Sequence, residues 1–184
     1  MEQPKIHYSK GGFFFTGAGN KIAKDALIYG GDNIGLKDHC IVDRQAILRG
    51  DLRRSAAGPA VAIQMGSYCY TGKNVVIKPP FKVYKQTFSH FPCKVGDYVF
   101  IDDNTLVEAA AIGSFVHIGK NCVIGGSVVI KDCCKILDGT IIPPGTVIPP
   151  FTIYGESQED WTEGAAELME YKMKEFYHEK FVEI

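Results

Sequence analysis

The chain is predicted to be an all-β solenoid: a left-handed parallel β-helix of hexapeptide repeats with a C-terminal α-helix. Three observations predict it. Aliphatic residues recur every six positions over ten consecutive units, and fixed-period self-similarity marks a solenoid. A small residue stands four places after each aliphatic. Beyond Tyr154 the period stops and an apolar stripe at helical spacing begins.

The repeat reads Val95, Ile101, Val107, then a five-residue step to Ile112, followed by Ile118, Ile124, Ile130, Ile136, Ile142, Ile148 and Tyr154. Its small partners include Val99, Thr105, Val116, Cys122, Val128 and Cys134. Three hexapeptides make one triangular coil, so Val95, Ile112, Ile130 and Ile148 should stack inside one face. Ile101, Ile118, Ile136 and Tyr154 should stack inside another, and Val107, Ile124 and Ile142 inside the remaining one. Large aliphatics fill the prism and small residues prevent overfilling. Asn104, Asn121, Gly139 and Gly145 suit left-handed corners. The proline pairs near Ile142 and Ile148 sit where no ladder donor is needed.

Upstream the repeat is less clean. Val42, Leu48, Met65, Thr71 and Ile77 fit, while Ile22, Ile28 and Ile34 keep the step and lose register before Val42. Residues 53–62 read as an insertion, and residues 78–94, aromatic and basic, as a loop thrown out from a corner. The expected division is a β-helix over 1–154, its N-terminal end capped by Phe13, Phe14 and Phe15, and a C-terminal segment over 155–184. That segment holds a helix from about Asp160 to Val182, laid along the solenoid by a stripe of Trp161, Ala165, Leu168, Met169, Met173, Phe176, Tyr177 and Phe181.

Net charge is −1, so nothing global favours nucleic acid or an anionic membrane. Residues after Tyr154 carry nine acids against three bases. No apolar run approaches the roughly 20 residues of a membrane span, and no secretory signal is visible. The six cysteines lack a framework spacing and fit reduced thiols in a cytosolic or nuclear protein. Five of them, Cys40, Cys69, Cys93, Cys122 and Cys134, fall at the small inward slot.

Chemistry is sparse. Among His7, His39, His90, His117 and His178, only His90 stands where a hexapeptide acyltransferase would place its base, and no carboxylate neighbours it in sequence. Residues just before each aliphatic should point outward. Leu106, Val123 and Ile141 form one apolar column, Val129 and Val147 another, and Phe100, His117, Lys135 and Ile153 a mixed third. Apolar flanks on a solenoid need cover, so these columns, with Phe81, Tyr84 and Phe88 of the loop, are candidate protein-binding residues.

LRGD (Leu48 to Asp51), followed by the repeat and its five-residue step, resembles the γ-class carbonic anhydrase family. The resemblance implies a metal held by three histidines on subunit edges, and repeat matching puts Lys78, Asp103 and Glu108 at those positions. An ammonium ligates poorly, so the resemblance implies a degenerate, salt-bridged cluster without catalytic residues, metal or cofactor. A closer resemblance covers most of the chain. AGNKIAK (Ala18 to Lys24), ILRGDL (Ile47 to Leu52), KPPFK (Lys78 to Lys82), FPCKVGDYVFI (Phe91 to Ile101), GSFVHIGKNCVIG (Gly113 to Gly125) and KDCCKILDGTIIPPGTVIPPFT (Lys131 to Thr152) are similar to the dynactin subunit 5 family. That resemblance implies a non-enzymatic subunit at the pointed end of dynactin, in the cytoplasm and cytoskeleton, supporting dynein-driven endosome transport along microtubules. The implied partners are a dynactin subunit 6-like β-helix, the pointed-end actin-related protein and dynactin subunit 4, with no nucleic acid and no direct membrane insertion. The alternative is a γ-carbonic-anhydrase-like or hexapeptide acyltransferase-like enzyme.

Overall fold

The computed structural model describes residues 12–53, 61–155, 158–160 and 163–183. Short strands, two to four residues each, wind through three sheets in strict rotation. The first face stacks Lys21–Ala23, Ile41–Val42, Tyr70–Thr71, Phe100–Ile101, His117–Ile118, Lys135–Ile136 and Thr152–Tyr154 in parallel. The second stacks Leu27–Tyr29, Ile47–Arg49, Val76–Ile77, Leu106–Val107, Val123–Ile124 and Ile141–Ile142. The third stacks Ile34–Leu36, Ile63–Met65, Cys93–Val95, Ala111–Ile112, Val129–Ile130 and Val147–Ile148.

The pairing register joins Val95, Ile112, Ile130 and Ile148 in one column, and the other two columns form in the same way. These aliphatics and the small-slot residues make a single continuous core. Upstream the register differs from the sequence expectation. Leu36, not Ile34, pairs with Met65 and enters the column. A one-turn 3-10 helix, Gly31–Asn33, absorbs the extra residues, so the slip lies between Ile28 and Leu36 rather than before Val42.

The glycine after the aliphatic is dictated by the coil below. The Asp97 carboxylate accepts the Ser67 N–H at 2.7 Å, Asp132 accepts Ser114 N–H at 2.7 Å, and Asp138 accepts Lys120 N–H at 2.8 Å. Each reaches up past a glycine. A Cβ on Gly96 would lie 2.6 Å from Ser114 Oγ, and one on Gly113 or Gly119 would collide with Asp132 or Asp138. The small slot has a bonding role as well. Buried Cys40, Cys69, Cys122 and Cys134 donate S–H to the carbonyls of Gly66, Gly96, Leu137 and Pro149 at 3.0–3.1 Å. Thr105 Oγ1 donates to Gly119 at 2.9 Å and accepts from Cys122 N–H at 3.1 Å.

Asn104, Asn121, Gly139 and Gly145 have positive φ, as do Gln45 and Asn74. The unexpected corner is the one leading into the first face, where His39, Tyr68, Tyr98, Phe115, Cys133 and Phe151 all have φ between 54° and 59°. Left-handed backbone is unfavourable for bulky residues. Here it turns the rings into a ladder, with His39 on Tyr68 at 5.0 Å, Tyr68 on Tyr98 at 4.8 Å and Tyr98 on Phe115 at 5.4 Å, all stacked. Stacking of this kind offsets about 0.5–1.5 kcal/mol per pair.

The helix α1 spans Glu163–Glu183, and a strand, Gln158–Asp160, precedes it, antiparallel to Thr152–Tyr154. The helical stripe hid that strand because too few residues precede the helix to show a period. At the other end Phe13–Phe15 pairs antiparallel with Lys21–Ala23. Helix α1 lies on the mixed first face: Met173 and Tyr177 are buried with Ile41, Tyr70 and Phe100, and Phe181, Tyr68, Tyr98 and Phe115 pack around them. Lys21 donates to the Phe181 carbonyl at 2.5 Å, pinning the C-terminal turn where unpaired carbonyls collect. Trp161 and the side chains of Ala165 and Met169 lie outside the described residues, and Leu168 is exposed.

Candidate functional site

The corner between the second and third faces carries both excursions from the repeat and the shortened step from Val107 to Ile112. Residues 78–94 are not a loop. Phe81–Tyr84 and Thr87–His90 form an antiparallel hairpin, turned at Lys85 and Gln86, both with positive φ. That pair of conformations is the type I′ turn, here without the glycine that would have announced it. Phe81 and Phe88 stack at 5.2 Å, and both, with Val83, are exposed. Tyr84 pairs with Thr87 at the hairpin end, and its side chain lies outside the described residues. Of the insertion over 53–62, the stretch 54–60 also lies outside them.

Within the single chain Lys78, Asp103 and Glu108 do not meet in one place. Lys78 Nζ meets Glu108 Oε1 at 2.6 Å at this corner. Asp103 stands at the preceding corner and accepts the Lys73 N–H at 2.8 Å, performing the inter-coil role of Asp132 and Asp138. Within one chain the three positions are therefore an ion pair plus a structural aspartate. Among the described residues, no group of three or more His, Cys, Asp and Glu could hold a metal.

His90 pairs with Phe81 across the hairpin and packs edge-on to Phe88 at 4.9 Å. In space it does have a carboxylate within electrostatic reach, Asp51, which sequence spacing could not reveal. Arg49 holds that carboxylate with two bonds of 2.8 Å and keeps it below the usual carboxylate range. Burial drives Cys93 and Cys134 the other way from activation, pushing them up to about 12 and about 11, while a hydrogen bond with the Cys69 thiol lowers Cys40.

The outward columns are the other feature. On the second face Leu106, Val123 and Ile141 register together, and the column continues upstream through Val76, Ile47 and Leu27. Six apolar residues thus follow one another without a polar break. The sequence reading missed the upper three because the upstream register was unclear. Ile141 is 70% exposed and Val123 38%. On the third face the column runs Gly35, Gln64, Lys94, Ala111, Val129 and Val147, with Val147 60% exposed.

The family model described as Dynactin subunit 5 matches residues 1–184. A Dictyostelium discoideum protein described as Dynactin subunit 5 is 36% identical over 112 residues, which is 61% of this chain and 52% of that protein. The chain thus aligns with about half the length of that relative. Among solved structures, a hexapeptide transferase family protein from Anaplasma phagocytophilum superposes with a TM-score of 0.63 at 13% identity, covering 89% of this chain and 92% of that one. The N-acyltransferase AntD from Bacillus cereus gives a TM-score of 0.61 at 14% identity, covering 84% and 88%. At such identity the likeness is one of fold, the hexapeptide-repeat left-handed β-helix, and the present chain has it. With the family match running from the first residue to the last, this chain belongs to the dynactin subunit 5 family.

Proposed function

We propose that the chain is a non-catalytic binding subunit of dynactin. It sits in the pointed-end subcomplex beside a dynactin subunit 6-like β-helix, the pointed-end actin-related protein and dynactin subunit 4, and supports dynein-driven transport of cargo such as endosomes along microtubules. The observation that carries this reading is the family match over residues 1–184. The geometry supports it. A rigid prism offers a flat six-residue apolar column on its second face, and the positions that would hold a metal in γ-carbonic anhydrases bear an ion pair and a coil-bridging aspartate. Uncovered apolar faces of this extent mark association surfaces. The column on the second face, the Val129 and Val147 pair and the hairpin residues Phe81 and Phe88 are the proposed contacts.

The test is capture of dynactin subunits from cell extract by the full chain. Val123→Asp with Ile141→Asp should abolish capture and leave the circular dichroism spectrum unchanged. Unchanged capture, or loss of fold, removes the second face as the docking surface. The enzyme alternative is tested on the same purified protein: carbon dioxide hydration or acyl transfer above background would overturn the non-catalytic reading.

A further inference from the structure

The third face, whose Val129 is among the proposed dynactin contacts, also carries a trough. In its outward column Ala111 stands between Lys94 and Val129. A short side chain between longer ones leaves a trough, about 460 Å³ in volume, whose lining includes Lys37, Gln64, Lys94, Ala111, Val129 and Lys131. Its wall is the backbone of Gly66, Gly96 and Gly113, where no Cβ can be accommodated because the coil below reaches past. The trough therefore follows from the packing of the coils and persists without a ligand.

Its charge is positive on balance, with Lys37, Lys94 and Lys131 against Asp97 and Asp132. Each carboxylate accepts a backbone N–H of the coil above, and Asp97 faces Lys37 at 4.0 Å. The ammonium groups of Lys94 and Lys131 are exposed and have no hydrogen-bond or ion-pair partner among the described residues. The two residues lie two coils apart, about 10 Å along the axis at the usual strand spacing, with Lys131 two positions further along the chain than Val129, which stands in register with Lys94. Carboxylates three residues apart in an extended, polyproline-type segment are separated by about 9 Å on one side of the chain. The chain's own acidic helix is committed to the first face, so the complementary charge must come from elsewhere.

We propose that this trough docks an extended acidic segment of a partner protein, two carboxylates meeting Lys94 and Lys131 while an aliphatic side chain between them rests on Ala111 and Val129. Complementary charge sets the register of such a segment, and the apolar floor distinguishes it from a polyanion.

The experiment is an NMR titration of the full chain with a peptide carrying Asp-Pro-Val-Asp between Gly-Ser flanks. Saturable shifts should cluster at Lys94, Ala111, Val129 and Lys131. Lys94→Glu with Lys131→Glu should weaken binding at least about tenfold. Ala111→Arg fills the trough while adding positive charge, and should weaken binding too. Unchanged circular dichroism qualifies both variants, and the lysine pair alone decides if the arginine does not fold. The proposal is overturned by equal binding of the Asn-Pro-Val-Asn peptide, by tighter binding to Ala111→Arg, or by no saturable shift up to about 1 mM. Response to phosphatidylserine vesicles or an oligonucleotide without response to the peptide also overturns it. The dynactin reading is tested by Val123 and Ile141 on the second face, so failure of peptide binding here and failure of capture there are distinguishable.

Discussion

Thr105 shows how much a single small slot carries. Its buried hydroxyl both donates and accepts between adjacent coils. Thr105→Val keeps the shape and strands a carbonyl and an N–H, so urea unfolding should show a loss of about 1–3 kcal/mol. Thr105→Ser, which keeps the oxygen, should recover most of it. Tyr177 is the opposite case: its hydroxyl is buried without a partner, so Tyr177→Phe should hold or raise the melting temperature. The thiols make a third residue-scale prediction. Cys40, Cys69, Cys93, Cys122 and Cys134 are buried and Cys133 alone is partly exposed. Because the thiolate is the reactive form, a maleimide near neutral pH should modify Cys133 first and the others only on unfolding.

At the scale of elements, helix α1 is held by a few large side chains. Met173→Ala, which empties a fully covered site, should cost about 2–5 kcal/mol and expose the helix amides to hydrogen exchange. The same interface is pH-sensitive. His117 packs against Phe100 at 5.1 Å and Phe176 at 5.8 Å, and its Nε2 has no partner. Burial holds its pKa below the ordinary 6.5, helped by Lys135 and opposed by Asp102 and Asp138. A base depressed in the fold binds its proton more readily when unfolded. Its contribution is therefore complete above about pH 6.5 and declines as pH falls below that value. Melting temperature followed from pH 7 to pH 5 should drop, and His117→Phe should flatten that part of the curve; an unchanged slope would remove His117 as the cause.

For the whole molecule, rigidity comes from repetition, since each coil bonds only its neighbours. Among the described residues the chain leaves the repeat at one corner, between the second and third faces. The coil after the hairpin crosses that corner in the step from Val107 to Ile112, so the prism closes there without an excursion. Replacing residues 79–91 with a short linker should leave the fold intact and change stability by no more than about 1 kcal/mol. Loss of dynactin capture with retained fold would assign the hairpin to partner contact.

The sequence by itself determined the prism, because its six-residue period places the aliphatics on the inside of a triangular coil, and from Val95 onward that period also fixed which residues share an outward column. It did not determine which face the helix would cover. The mixed face was chosen because the corner beside it carries Tyr68, Tyr98 and Phe115, and their left-handed conformation follows from the winding rather than from any local preference for it. Nor could spacing reveal that Asp103 works within the scaffold while Glu108 meets Lys78. Side chains one coil apart are separated by about 18 residues in the chain, and only the closed stack decides which of them touch.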